Sequence, residues 1–312
     1  MFIVCGEALL DVFSNGVTPT GFAFDARIGG SPFNLALGLA RMGQPVGFFG
    51  GMASGFVGER LLQALADEGV QTASVARLDA PATLSVVGLD AHGVPSYAFY
   101  GERCADRLLP LSALAQVPAA SVFHVGSYTM VVEPVASTLR ALIERERGRS
   151  LIAYDPNVRL NVEPDLRRWN EVLDWMVARA HLVKISDEDL ALLRPGVAAA
   201  DIVAQWLAAG VALVVVTRGG EGASAWTAHQ QVEVPAVPCT LVDTVGAGDS
   251  FQAALLASLA EQQALTPEAL RGLDAAALSS ALSMAARAAA ITCSRRGADL
   301  PRRTDLYGIS TN

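Results

Sequence analysis

The 312-residue chain has no closely spaced cysteines, no Walker-type phosphate loop, no block of like charge and no unbroken apolar run of membrane length. Its four cysteines, Cys5, Cys104, Cys239 and Cys293, form no C-x-x-C pair. That excludes a zinc ribbon or a disulfide scaffold and is expected of free thiols in a reducing compartment. The first residues, MFIVCGEALLDVF, are a short apolar run that carries acids, unlike a secretion signal, so a cytoplasmic protein is expected. Gly, Pro or charge interrupts each apolar segment before about 18 residues, and no membrane partner is expected. Basic residues are the minority: 23 Lys and Arg against 31 Asp and Glu give a formal charge of −8. This balance argues against nucleic acid or an anionic membrane surface as the main partner and leaves a small molecule. With 52% hydrophobic and 17% charged residues the chain is not disordered and can bury a large core. No internal repeat and no low-complexity linker divides it, so residues 1–312 are expected to form a single domain.

Short β-rich apolar runs alternate with longer stretches of helical period, which predicts an α/β fold with a mostly parallel central sheet covered by helices. The strand candidates are FIVC (2–5), SVFHV (121–125), LIAYD (151–155), HLVKI (181–185) and VALVVVT (211–217). Helices are expected over 55–69, where Phe56, Leu61, Leu62 and Leu65 share a face, and over 166–180. The stretch 83–101 departs from the alternation: two strand-like runs flank Ala91-His92-Gly93 with no helix between them, the pattern of a hairpin.

The segment DTVGAGDSFQAALL (243–256) sets two glycines and an acid at the start of an apolar helix. Gly246 and Gly248 permit a tight turn with positive φ, so that the amides of Ala247, Gly248 and Asp249 can face an anion with the helix dipole behind them. Asp249 would repel that anion, unless its task is to take a proton from a hydroxyl attacking phosphorus. That combination is a phosphotransferase site; by itself the acid could equally be a helix cap. Two rival nucleotide motifs fail. No G-x-x-x-x-G-K-S/T occurs. Gly220, Gly222 and Ala225 do match G-x-G-x-x-G/A, but β-like alternation with Pro235 and Pro238 follows instead of a helix. Residues 219–222 therefore read as a glycine turn before a hairpin, at the edge of a nucleotide pocket.

On the acceptor side, RIGGSPFNLALGLARMG (27–43) joins Gly29-Gly30 to Asn34, one turn into an apolar helix. The glycines allow close backbone approach and an amide both donates and accepts, which suits a polyol. A plain helix start, with Ser31 as cap and Pro32 at the first position, describes the same letters. Asp11 is a second carboxylate able to accept from two sugar hydroxyls, or a turn acid.

GGSPFNLALGLARMG and DTVGAGDSFQAALL, in this order and some two hundred residues apart, resemble the two signatures of the ribokinase-like (PfkB) carbohydrate kinases. VVVTRGGEG (214–222) and SRRGADLP (294–301) extend the resemblance over nearly the whole chain. It implies a ribokinase-like three-layer sandwich with a small β lid, here about 12–27 and 83–104, with ATP as donor, Mg2+, and Asp249 as catalytic base. It places Lys184, Thr217, Gly219, Gly222 and Ala286 on the nucleotide side. It further implies a monovalent cation such as K+ near Asp243 and Val245, and a homodimer paired through the lid. HVGSYTMVVEP, YGERCADRLL and YDPNVR are most similar to the fructokinase branch. They add Arg103, Arg107, Asn157 and Arg159 to Asp11, Gly29, Gly30 and Asn34 as sugar-site candidates.

The chain also departs from the family pattern. SDED (186–189) stands where many members have Asn-x-x-Glu, leaving Ser186 and Asp189 to organise the Mg2+ water. Ala286 replaces an Asn by the adenine, and Phe33 replaces a small residue within the sugar motif, where it is expected to reshape the sugar pocket. D-fructose phosphorylated on a primary hydroxyl is the expected reaction. The alternatives are a kinase for 2-keto-3-deoxygluconate, ribose or an aminoimidazole riboside, and a sugar sensor without transfer.

Overall fold

The computed structural model describes residues 1–89 and 95–307. Strand β1 (Phe2–Cys5) leads into the long β2 (Leu9–Thr18) and β3 (Gly21–Gly29), followed by α1 (Ser31–Arg41). Next come β4 (Val46–Phe49), β5 (Gly51–Ala53), α2 (Phe56–Asp67), β6 (Ala76–Leu78), β7 (Leu84–Leu89) and β8 (Pro95–Tyr100). Alternation then sets in: β9 (Val122–Gly126), α3 (Val135–Glu146), β10 (Leu151–Asp155), α4 (Leu166–Val177), β11 (Leu182–Ser186), α5 (Asp187–Leu193), α6 (Ala199–Ala208) and β12 (Leu213–Thr217). The hairpin β13 (Ala223–Trp226) and β14 (Gln231–Val234) precedes α7 (Ala247–Glu261), α8 (Pro267–Arg271) and α9 (Ala275–Cys293).

Eight strands form the main sheet in the order β14-β13-β12-β11-β10-β9-β1-β4. Neighbours from β12 to β4 run parallel, and the β13–β14 hairpin adds an antiparallel edge. Because both faces are covered, the inner strands are mostly apolar rather than alternating, with His124 of β9 and Lys184 of β11 as buried exceptions. β1 shows the division: Phe2 and Val4 join the core under α1, α2, α7 and α9, whereas Ile3 and Cys5 join the core under α3, α4 and α6. The segment 219–234 is the turn and hairpin that its alternation predicts, not the helix of a dinucleotide fold.

A second sheet, ordered β3-β2-β7-β8, stands beside the first. β7 and β8 pair antiparallel as the hairpin pattern requires, while the Ala91-His92-Gly93 stretch lies outside the described residues. β2 and β3 bear exposed Val17, Phe22 and Phe24.

Three expectations change. Phe56 is 87% exposed at the first turn of α2, so only Leu61 and Leu65 are fully buried on that face. Arg287 does not interrupt α9, a continuous 19-residue helix long and apolar enough to cross a membrane by length and composition; here it packs against α7 and the β13–β14 edge, half buried. Phe33 faces the core: it is fully buried in α1 and meets Phe48 edge-on, ring centroids 6.2 Å apart. Phe33→Ala should therefore cost about 3–5 kcal/mol of stability in urea unfolding, the usual range for a buried Phe. An unchanged midpoint would contradict that placement.

Candidate active site

The start of α7 is set by Gly246, whose φ of 80° is left-handed and whose hypothetical Cβ would lie 2.8 Å from Ala298. Conformation and space both require glycine there. Gly248, in contrast, has no positive φ and sits within the first helical turn. Of the three amides expected to face an anion, that of Ala247 donates to the Thr244 carbonyl at 3.2 Å. The amides of Gly248 and Asp249 have no protein acceptor among the described residues, and they carry the positive end of the helix dipole.

Asp249 is fixed by the other signature segment. Its Oδ1 accepts from Ser31 Oγ at 2.6 Å and its Oδ2 from Asn34 Nδ2 at 2.8 Å. Ser31 thus serves Asp249 rather than capping α1; the N-cap is Gly30, at φ 105°, where a Cβ would lie 2.9 Å from the Glu7 carbonyl oxygen. Desolvation raises the Asp249 pKa above the ordinary carboxylate range, while the bonds from Ser31 and Asn34, and the charges of Lys184 and Arg159, pull it down.

Asp249 borders a cavity of about 520 Å3 walled by Glu7, Asp11, Gly30, Asn34, Asn157 and Arg159. Ser85, Val87 and Phe99 from the second sheet close one side. Gly29 does not line it, but its missing side chain leaves room for the Asp11 carboxylate. Burial raises the Asp11 pKa; Ser85 and Arg159 oppose the shift. Arg159 Nη1 donates to the Val158 carbonyl at 2.8 Å, which fixes the guanidinium beside the cavity. Two candidate arginines lie elsewhere. Arg103 is exposed and lines neither this cavity nor its neighbour. Arg107 stacks over Phe99 and Tyr128, 5.3 and 5.5 Å from the ring centroids, and supports the wall from behind. Asp106, its sequence neighbour, instead accepts from Thr83 at 2.5 Å and from the Tyr128 hydroxyl at 2.7 Å.

A second cavity of about 210 Å3 adjoins the first and shares Asn157 and Gly248 with it. Lys184, Ser186, Asp189, Thr217 and Gly219 meet here, together with Asp155. Lys184 Nζ and Asp155 Oδ2 form a buried ion pair at 2.5 Å. The Ser186 hydroxyl accepts from the Asp189 amide at 3.0 Å as the cap of α5, and Asp189 Oδ2 accepts from the Val158 amide at 3.1 Å. Burial and the neighbouring Asp155 push the Asp189 pKa up to about 6. Gly222 and Ala286 do not reach this cavity: Gly222 packs on the β14 backbone and Ala286 lies buried in α9. Asp243 bonds the amides of Val245 at 3.1 Å and Gly297 at 2.8 Å, tying the loop before α7 to the C-terminal segment.

One carboxylate, beside two free amides, stands where two cavities meet. That geometry suits phosphoryl transfer between a donor in one and an alcohol in the other. The family profile described as pfkB family carbohydrate kinase matches residues 3–305. A fructokinase of Rhizobium leguminosarum bv. trifolii is 37% identical over 279 residues, 89% of this chain and 85% of that protein. The crystal structure of a Xylella fastidiosa fructokinase with bound ATP superposes with a TM-score of 0.88 at 27% identity, covering 98% of this chain and 96% of that one. A Vibrio cholerae O395 fructokinase bound to fructose, ADP and calcium gives 0.82 at 26%, covering 98% and 97%. The chain belongs to the PfkB family of carbohydrate kinases, and it has the ribokinase-like α/β fold of a sugar kinase.

Sequence reasoning missed Glu7, which lies in GEALL four residues before Asp11. It is 2% exposed, accepts from Thr129 Oγ1 at 3.3 Å and lines the larger cavity. Desolvation, reinforced by Asp106, raises its pKa from 4.5 to about 7. A carboxyl that holds its proton more tightly folded than unfolded makes stability fall as pH rises from about 4.5 to about 7. Glu7→Gln should flatten that slope, with a difference from the native chain of up to roughly 3 kcal/mol above pH 7. Parallel urea-unfolding curves across this range would refute the assignment.

Proposed function

We propose that the chain transfers the γ-phosphoryl group of ATP to a primary hydroxyl of D-fructose, with Asp249 as general base. The observation that carries this reading is the desolvated Asp249 carboxylate, held by Ser31 and Asn34 at the junction of the two cavities. The sugar occupies the larger cavity, where Asp11, Asn34 and Asn157 offer acceptors and donors to its hydroxyls. Asp249 takes the proton of the attacking hydroxyl. The Gly248 and Asp249 amides meet the charge on the transferring phosphoryl group, and Lys184 and Thr217 border the triphosphate side.

The smaller cavity fits a divalent cation. Asp155 and Asp189 both line it, and burial, with the Asp155 charge added, raises Asp189; a hard, hydrated ion would favour its charged form. No cluster of three or more metal-ligating side chains exists among the described residues, so the ion would keep most of its waters. Bound there, Mg2+ neutralises charge on the phosphate oxygens.

Fructose is favoured over a sugar acid by charge. Asp11 and Asp249, joined by Glu7 above about pH 7, line the larger cavity against the single guanidinium of Arg159, which suits a neutral polyol. Arg159 is the one feature that favours 2-keto-3-deoxygluconate. Asp249→Asn should leave the binding of ATP and fructose intact and lower kcat by roughly 10²–10⁴. Near-normal turnover in that variant would exclude the base role. In the same assay, a tenfold or greater preference in kcat/KM for the keto acid would replace fructose as substrate.

A further inference from the structure

A third cavity, of about 610 Å3, opens at the other end of the main sheet, where β10 and β11 begin. The catalytic cavities adjoin the far ends of these five-residue strands, roughly 16 Å away by strand rise. Its walls are the segments after α3 and α4, the turn after α6, and residues 265–271.

Arg147, Arg149, Arg179 and Arg271 line this cavity beside His181, and Glu268 is the only carboxylate in its wall. Glu144 and Glu146 stand behind and orient the guanidinium groups. Glu144 meets Arg179 Nε at 2.6 Å and Arg147 Nε at 3.2 Å, and Glu146 holds two nitrogens of Arg149, each at 2.8 Å. Arg145 also pairs with Glu146. Five arginines therefore meet three carboxylates, an excess of two positive charges in a chain whose formal charge is −8.

These pairings leave donors unused. Both Nη groups of Arg147, Nη2 of Arg179 and Nη1 of Arg149 have no acceptor among the described residues, and Arg271 Nη1 is 3.9 Å from Glu268. His181 Nδ1 accepts from the Ile152 amide at 2.9 Å, which fixes the neutral tautomer and leaves Nε2–H as a further donor. Four arginines line one space: Arg147, Arg149 and Arg179 are held by carboxylates, Arg179 is also stacked on Trp175, and Arg271 Nη2 donates to the Gly210 carbonyl at 3.1 Å. Such guanidinium groups match the oxygens of a phosphate ester, and the charge excess matches a dianion. The volume is within the usual range of small-molecule sites.

We propose that this cavity binds a phosphate monoester of about sugar-phosphate size, at a site separate from the catalytic pair. Calorimetric titrations of the full chain with inorganic phosphate, a hexose phosphate and AMP test it, comparing the native protein, the double variant Arg147→Ala/Arg271→Ala, and Arg60→Ala, which alters an exposed arginine on α2. One site per chain should weaken tenfold or more in the double variant and stay unchanged in Arg60→Ala. Stronger binding of either ester than of inorganic phosphate supports the monoester. Arg147→Glu, a reversal at an exposed position, should abolish the same site should the double variant fold poorly. Equal affinity in native and Arg147→Glu proteins, no binding beyond the catalytic site, or phosphate binding as tightly as both esters would overturn the proposal.

Discussion

The Asp249 carboxylate is the constraint around which the site is built. It sits at the positive end of α7, where the dipole favours the anion by up to about 2 kcal/mol in partly buried geometry, while desolvation works against it. Its two oxygens are each tied to α1 by Ser31 and Asn34, so the position of the acid depends on how these two helices pack. Gly30 and Gly246 are required because both helices start from backbone that only glycine adopts without strain. The two signature segments, far apart in the chain, are thus one structural unit.

Around that unit both cavities are acidic: Glu7, Asp11 and Asp249 stand with Arg159 in the larger, and Asp155, Asp187, Glu188 and Asp189 with Lys184 in the smaller. Glu7 and Asp11 both have raised pKa values because burial outweighs their hydrogen bonds. Lys184 is paired with Asp155 in a buried contact, and removal of either partner would strand a charge, commonly at 3–5 kcal/mol. The aromatic wall of Phe99 and Tyr128, with Arg107 against both rings, keeps the larger cavity rigid without contributing a polar group to it.

Most of the main sheet was legible because buried parallel strands are mostly apolar runs, and LIAYD and HLVKI stand within a residue of their observed bounds; the four-residue edge strand β4 was not read. Asp249, Asn34, Asn157 and Arg159 all line the larger cavity; the first two were legible in the physical demands of their motifs, and Asn157 and Arg159 only through the resemblance carried by YDPNVR. Ser31 was not, because a serine before an apolar helix reads as a cap and only tertiary packing shows its partner 218 residues away. The placement of Arg103 and Arg107 was not legible, because an arginine near a strand end carries no signal of direction: one is exposed and the other stacks on rings behind the cavity wall. Phe33 was misplaced because a large residue beside a ligand motif can face either the pocket or the core; in α1 it faces the core. Glu7 left only its nearness to Asp11 as a clue.

The most direct test is the pH dependence of kcat/KM for fructose in the native chain and in Ser31→Ala. Asp249 must be ionised to accept a proton, so activity falls as pH drops through its pKa, and the acid limb should lie above the ordinary Asp range. The Ser31 hydrogen bond lowers that pKa; its loss should move the limb to higher pH with fructose still bound. An acid limb at the same pH in both proteins would contradict Asp249 as the group that accepts the proton.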